Sequence, residues 1–251
     1  MTTDELIQIG RFALAFSRVN RVTRHEDGLR IETDSDHTVM LGLIACAVAA
    51  SLPELGLDQG LVAQMVLVHD LPEALVGDTN SFDISEARKL EKKEREAEAV
   101  STMEKLFADT PWLMPMLHRY EAQEEPEARF VRYLDKAMPK ITHILNRCAA
   151  IRSMGKTKAD LVRSHATQLA DLNQKYPELA STVGVLLEDL MAASVRAFPA
   201  QFWYESMGRL GPSCDDTDSY ACLSCSEFLH TRHDPGPRCP SCGFDGDGFP
   251  G

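Results

Sequence analysis

Apolar residues in this chain recur every third or fourth position, and before residue 200 they almost never alternate. Alternation is what a half-buried strand requires, so its absence points to helices packed on helices. Residues 4 to 20 set the pattern, with Leu6, Ile9, Phe12, Ala13 and Phe16 at helical spacing. The polar stretch 23 to 36 contains Gly28 and reads as a loop or short hairpin. Ser35 or Asp36 should cap the next helix, putting His37 in its first turn. Residues 39 to 46 are apolar all round, which predicts a central helix buried on most sides. A second buried helix is predicted over 59 to 76, stopped at Gly77. Residues 85 to 107 are dense in Glu, Lys and Arg, with pairs such as Glu91 and Arg95. They read as a solvated helix rather than a binding surface. Residues 129 to 147 form another helix, in which Pro139 imposes a kink or break. A long helical region over 158 to 198 is interrupted near Pro177. The expectation is an all-α main domain.

From Gly211 onward the composition shifts to Gly, Pro, Ser and Asp, and five of the seven cysteines appear. The chain of 251 residues therefore divides into a main domain at 1–205, a linker at 206–212 and a small module at 213–251. Cys222, Cys225, Cys239 and Cys242 form two Cys-x-x-Cys knuckles separated by thirteen residues. Four thiolates so spaced can close a tetrahedral zinc site, and Gly243 lets the backbone turn around the sulfurs. The segment resembles a zinc ribbon, and zinc would supply most of its folding energy. Cys214 is left over, while Cys46 and Cys148 sit in apolar helical surroundings and are expected to be packed. Residues 213 to 251 carry seven acidic residues against two arginines, so this module should not bind phosphate backbones. Contact with a protein partner, oligomerisation or structural capping remain as its roles.

Net charge is −12, which disfavours binding to duplex DNA or RNA. The longest uncharged run, residues 38 to 53, is shorter than the ~20 residues that span a bilayer. The acidic start lacks the basic region of a signal peptide. With cysteines paired as knuckles, these features predict a cytoplasmic protein.

His37, the adjacent His69 and Asp70, and Asp135 lie on three separate helical stretches. Imidazoles and carboxylates make a mixed N/O donor set suited to one divalent transition metal: Mn, Co, Fe or Zn. Such an ion lowers the pKa of bound water and draws charge from a phosphoryl oxygen. Other chemical-looking features read as structural. Gly155-Lys156-Thr157 mimics the end of a P-loop, but the upstream glycine and strand are missing, so it reads as a turn before a helix. His118, His143 and His165 have no partner at ligand spacing.

The flank of the doublet, Val68-His69-Asp70-Leu71-Pro72-Glu73-Ala74-Leu75-Val76-Gly77-Asp78-Thr79, turns this pattern into a resemblance. It resembles the HD-domain metal-dependent phosphohydrolases, in the 5'-deoxynucleotidase-like branch with H…HD-x-x-E-x-x-x-x-D…D. The matching positions are His37, His69, Asp70, Glu73, Asp78 and Asp135, over roughly residues 5 to 200. The fold this implies is an all-α HD-domain helical bundle, followed by the four-cysteine zinc-ribbon-like module. The activity it implies is release of phosphate from deoxyribonucleoside 5'-monophosphates by attack of water held on the metal. Asp78 is then the candidate general acid/base and Glu73 orients the water, with the two roles exchangeable. Arg21 is the candidate phosphate clamp, with Arg24 and Arg30 nearby. The resemblance also implies a homodimer. Two alternatives stand beside this reading: a dNTP triphosphohydrolase using the same site, and a non-catalytic nucleotide-binding adaptor.

Overall fold

The structure, a computed structural model, describes residues 1–79, 82 and 86–199, together with the backbone of two short strands further on. The chain divides into two units, Met1–Phe198 and Pro199–Gly251. The first is helical almost throughout. Helix α1 (Thr3–Phe16) starts at a capping box in which Thr2 and Glu5 bond each other's backbone N–H. It leads into an antiparallel hairpin of β1 (Asn20–Arg24) and β2 (Ile31–Thr33), whose register shifts between Asn20 and Arg24. The hairpin starts three residues ahead of the polar stretch 23–36, in strand β1, which carries Arg21.

Helix α2 (Asp34–Ser51) begins at a second capping box, formed by Thr33 and Asp36. The cap is thus Thr33 rather than Ser35 or Asp36, and His37 moves to the fourth helical position. Leu41 and Ala45 are fully buried, but Val39 is 64% and Leu43 72% exposed. Met40, Leu41, Ile44, Ala45 and Val48 pack on the core and only a stripe through Val39, Leu43 and Ala47 faces outward, so the helix is buried on most sides with one open face. Helix α3 (Gln59–Val68), capped by Asp58, packs against α2.

The single helix expected over 59 to 76 is two. After α3 the backbone tightens: Leu71 N–H donates to Val68 O and Glu73 N–H to Asp70 O. Pro72 has no N–H to return to Val68, so the α-helical ladder cannot pass this point. A single turn, α4 (Glu73–Val76), follows and ends at Gly77, whose φ of 74° is one glycine adopts without strain.

Helix α5 (Glu86–Leu106) packs on α4, and α6 (Leu113–Ala122) packs on α3. Helix α7 (Pro126–Asp135) stops at its last residue, and α8 (Met138–Leu145) restarts with Pro139 in its first turn. Proline's missing donor makes this the break expected after Asp135. Short α9 (Ala149–Ser153) precedes α10 (Lys158–Lys175), which Thr157 and Asp160 cap. The Gly155-Lys156-Thr157 turn therefore serves as a helix start. A 3-10 turn at Pro177–Leu179 and a π-helical turn at Ala180–Gly184 lead into α11 (Val185–Ala197). At Gly184 a Cβ would lie 2.9 Å from the Tyr133 hydroxyl, so glycine lets α7 and this turn approach.

The main core gathers Leu41, Met65, Val66, Leu117, Tyr120, Phe130 and Leu134, and a smaller cluster joins Cys148, Ile151, Leu161 and Phe198. Burial pushes the Cys148 thiol up to about 11, as suits a packed cysteine. Among the described residues no helix is long and apolar enough to cross a membrane. In the second unit, β3 (Tyr220–Ala221) pairs antiparallel with β4 (Phe228–Leu229). The linker at 206–212 and the zinc ligands expected at Cys222, Cys225, Cys239 and Cys242 lie outside the described residues.

Candidate metal centre and active site

Three elements deliver four donors to one point. His37 comes from the start of α2, His69 and Asp70 from the tight turn after α3, and Asp135 from the end of α7. One donor atom from each can be chosen so that all lie within 4.8 Å of one another. His37 Nε2 is 2.9 Å from Asp135 Oδ1, and the two imidazole centroids are 5.5 Å apart.

The hydrogen bonds around His69 indicate whether a cation fits there. Nδ1 donates to the Val66 carbonyl at 2.7 Å, which leaves the lone pair on Nε2. That buried Nε2 has no hydrogen-bond partner among the described residues, yet it lies 3.0 Å from Asp70 Oδ2. Two lone-pair donors facing each other so closely are what a metal between them would reconcile. Tyr120, fully buried, sets its ring edge-on to His69 at 6.2 Å, under the Arg132 guanidinium.

Charge supports the same fit. Burial works against the ionised form of Asp70, but the Arg21 guanidinium bonded to it helps hold its carboxyl well below the usual range. Asp135 is also buried and is held down by Lys136, 2.6 Å away, and by His37. Burial alone would lower His37; bonds to Asp135 and Glu32 instead carry it up to about 9. Other carboxyls lose this competition. Burial and the neighbouring charges of Asp70, Asp78 and Asp34 push Glu73 up to about 10, and burial pushes Asp34 up to about 6. The pocket has more carboxylate than its arginine and lysines balance, and a divalent cation would redress that.

Two residues that the sequence reading overlooked complete the arrangement. Glu32, buried at the end of β2, lies 3.3 Å from His37 Nδ1 and orients the ring from behind. No periodicity or motif marks it in the sequence. Lys92 on α5 reaches Glu73 at 3.5 Å and, with Lys93 and Glu96, lines the cleft over the donor cluster. The helix expected to be merely solvated thus forms one wall of the site. Arg95 on the same helix donates to Thr79 Oγ1 at 2.9 Å and reaches the Val76 carbonyl, pinning the segment that bears Asp78.

Arg21 enters from β1. Its Nη1 donates to Asp34 and Asp70, each at 2.9 Å, and lies 3.8 Å from Glu73. Burial opposes its charge, but the carboxylates around it outweigh burial and raise its pKa. Arg24 instead donates to the Leu29 carbonyl and Arg30 to Asp36, so Arg21 is the arginine of this hairpin that joins the cluster. Asp78 lines the same cleft, which encloses about 430 Å³.

The HD domain family model matches residues 16–177, well over half of the chain. The chain belongs to the HD domain family. Among curated proteins it is 31% identical over 109 residues to the Homo sapiens 5'-deoxynucleotidase HDDC2, covering 43% of this chain and 50% of that protein. It is 30% identical over 106 residues to the Danio rerio 5'-deoxynucleotidase HDDC2, covering 41% and 50%. The chain thus spans about half the length of these relatives. The HD fold also recurs in solved structures. The predicted metal-dependent phosphohydrolase of Magnetospirillum magnetotacticum MS-1 superposes with a TM-score of 0.55 at 24% identity, over 77% of this chain and 96% of that one. A conserved hypothetical protein of Pyrococcus furiosus gives 0.51 at 20%, over 76% and 99%.

Proposed function

We propose that this HD domain is a metal-dependent phosphohydrolase that releases phosphate from deoxyribonucleoside 5'-monophosphates. The observation that carries the reading is the four-donor cluster with the His69 Nε2 lone pair turned, unpartnered, toward Asp70. His37, His69, Asp70 and Asp135 would hold one ion of Mn, Co, Fe or Zn. When bound, it would supply Lewis-acid charge at the phosphoryl group and lower the pKa of water. The chain's own residues do the rest. Arg21, fixed by Asp34 and Asp70 through Nη1, presents its guanidinium to the phosphate. Glu73, buried beside Lys92 and Arg21, orients water by hydrogen bonding. Asp78 takes a proton from the attacking water and passes it to the departing 5'-oxygen. Most of the rate gain then comes from positioning and charge neutralisation. The 5'-deoxynucleotidase names of the matched relatives support the substrate class.

The test is phosphate and polyphosphate release from dNMPs, NMPs and dNTPs with Mn, Co, Mg or EDTA. Orthophosphate from dNMPs, abolished by EDTA, is expected. Triphosphate from dNTPs would replace this reading with a triphosphohydrolase. Silence with metal demonstrably bound would replace it with a nucleotide-binding adaptor. Asp78→Asn should lower turnover by about 10²–10⁴-fold with metal retained, whereas an adaptor's nucleotide binding would be unaffected. A second copy of the chain would cover Val39 and Leu43, which share a face of α2, and sedimentation should then report a dimer.

A further inference from the structure

The cleft over the donor cluster holds a second arginine besides Arg21. Arg132 stands on α7 three residues before Asp135, so the two side chains share a face of the helix. Both line the cleft. The Arg132 Cζ lies over the ring of the fully buried Tyr120, 4.7 Å from its centroid. Its Nη2 donates to Glu121 at 3.2 Å. Among the described residues, its buried Nε has no hydrogen-bond partner. The ring attracts the charge through its face, and Glu121 takes one nitrogen of a fork that carries five N–H donors. The guanidinium is therefore held in place with donors still to be satisfied.

The charges around it select the ligand. Burial opposes the Arg132 cation, but the carboxylates of Glu121, Asp135 and Asp70 outweigh it, and the side chain stays charged. Asp70 and Asp135 act on Arg21 as well, so the two arginines border the same carboxylates from different elements, β1 and α7. Those two carboxylates belong to the set that a divalent cation would neutralise. Glu121 is half exposed, and water screens its hold on Arg132. Glu96, another acidic group of the cleft, is engaged by Lys92 at 3.3 Å. A phosphate dianion, with several oxygens on one centre, matches two guanidinium forks beside an ion. A neutral group would leave the charge of both arginines uncompensated.

We propose that Arg132 is a second phosphate-binding residue, taking one oxygen of the phosphoryl group from α7 while Arg21 takes another from β1. This rests on the phosphohydrolase reading above and adds a residue to its site. Orthophosphate released in the cleft meets the same two arginines before it leaves. Tyr120 and Glu121 then act through Arg132: the ring fixes the guanidinium, and the carboxylate competes for one of its nitrogens.

Orthophosphate titrated into the metal-loaded full chain reads this contact without turnover. Arg132→Met should weaken phosphate about tenfold or more, the cost of a lost charged hydrogen bond, while metal affinity stays within about twofold. Arg132→Lys keeps a cation over Tyr120 but loses the fork, and should weaken phosphate by a smaller factor. Glu121→Gln, at a half-exposed position, releases Nη2 and should tighten phosphate about threefold. That gain should vanish when Arg132→Met is added. In hydrolysis, Arg132→Met should raise KM for dNMPs and the inhibition constant of orthophosphate together, and leave inhibition by the deoxynucleoside product unchanged. Phosphate binding indifferent to both Arg132 substitutions, or a Glu121→Gln gain that is absent or persists without Arg132, would overturn the second clamp and leave the phosphohydrolase standing. Phosphate binding lost in Arg132→Met, with no dNMP hydrolysed by the wild type, would support the clamp and sink the hydrolase.

Discussion

Glu32 and Lys140 illustrate how single buried charges set the properties of this domain. Glu32 lies behind His37 and fixes which ring nitrogen faces the cluster. Glu32→Gln keeps the shape but removes the anion that raises the basicity of the imidazole. Metal titration should then show affinity reduced by about ten- to a hundredfold. Lys140 has the opposite character, a cation whose burial lowers its pKa from 10.5 to about 7, with Lys136 opposing it further and Asp135 offsetting part. Between those values the unfolded chain binds the proton more tightly than the folded one, so native stability rises with pH across that window. Below about 7 the cost of burying the charged form is present in full. Lys140→Met should be more stable than the wild type at neutral pH, and the difference should fade toward pH 10.5 in denaturant melts.

At the scale of elements, the breaks matter more than the helices. The sequence made α2, α5, α7 and α10 legible because helical periodicity and capping residues are local signals. Pro139 likewise marked the end of α7. The turn at His69–Pro72 was not legible, since the apolar pattern runs through it; only the missing N–H of Pro72 betrays it. Exposure of Val39 and Leu43 was equally hidden, because an all-apolar run does not say which face finds a neighbour. His37, His69, Asp70 and Asp135 could be picked out from donor chemistry and flanking motif. Glu32, Lys92 and Arg95 could not, as each enters through tertiary packing with no residue pattern of its own. Arg95 yields the element-scale prediction. Its bonds from α5 to Val76 and Thr79 hold the segment bearing Asp78. Arg95→Ala should lower kcat about ten- to a hundredfold through misplacement of Asp78, with metal affinity within twofold of wild type.

For the whole molecule, the four donors tie together α2, the turn after α3, and α7. An ion bound only by the folded state adds about 2.7 kcal/mol at a hundredfold excess over its Kd. For a domain of this size that corresponds to a rise of roughly 5–10 °C in Tm. EDTA should therefore lower Tm by that order, and His37→Ala should abolish the difference between metal and EDTA. A chelator without effect on the wild type would contradict a bound metal.

The proposed ligands His37 and Asp135 stand 98 residues apart in sequence. A ribosome has therefore released most of the helical domain before the last carboxylate becomes available. A nascent chain ending short of Asp135 can offer two imidazoles and one carboxylate, but from elements not yet clamped by α7. A metal held by these four donors would be captured late in assembly, once the distant halves of the bundle have met.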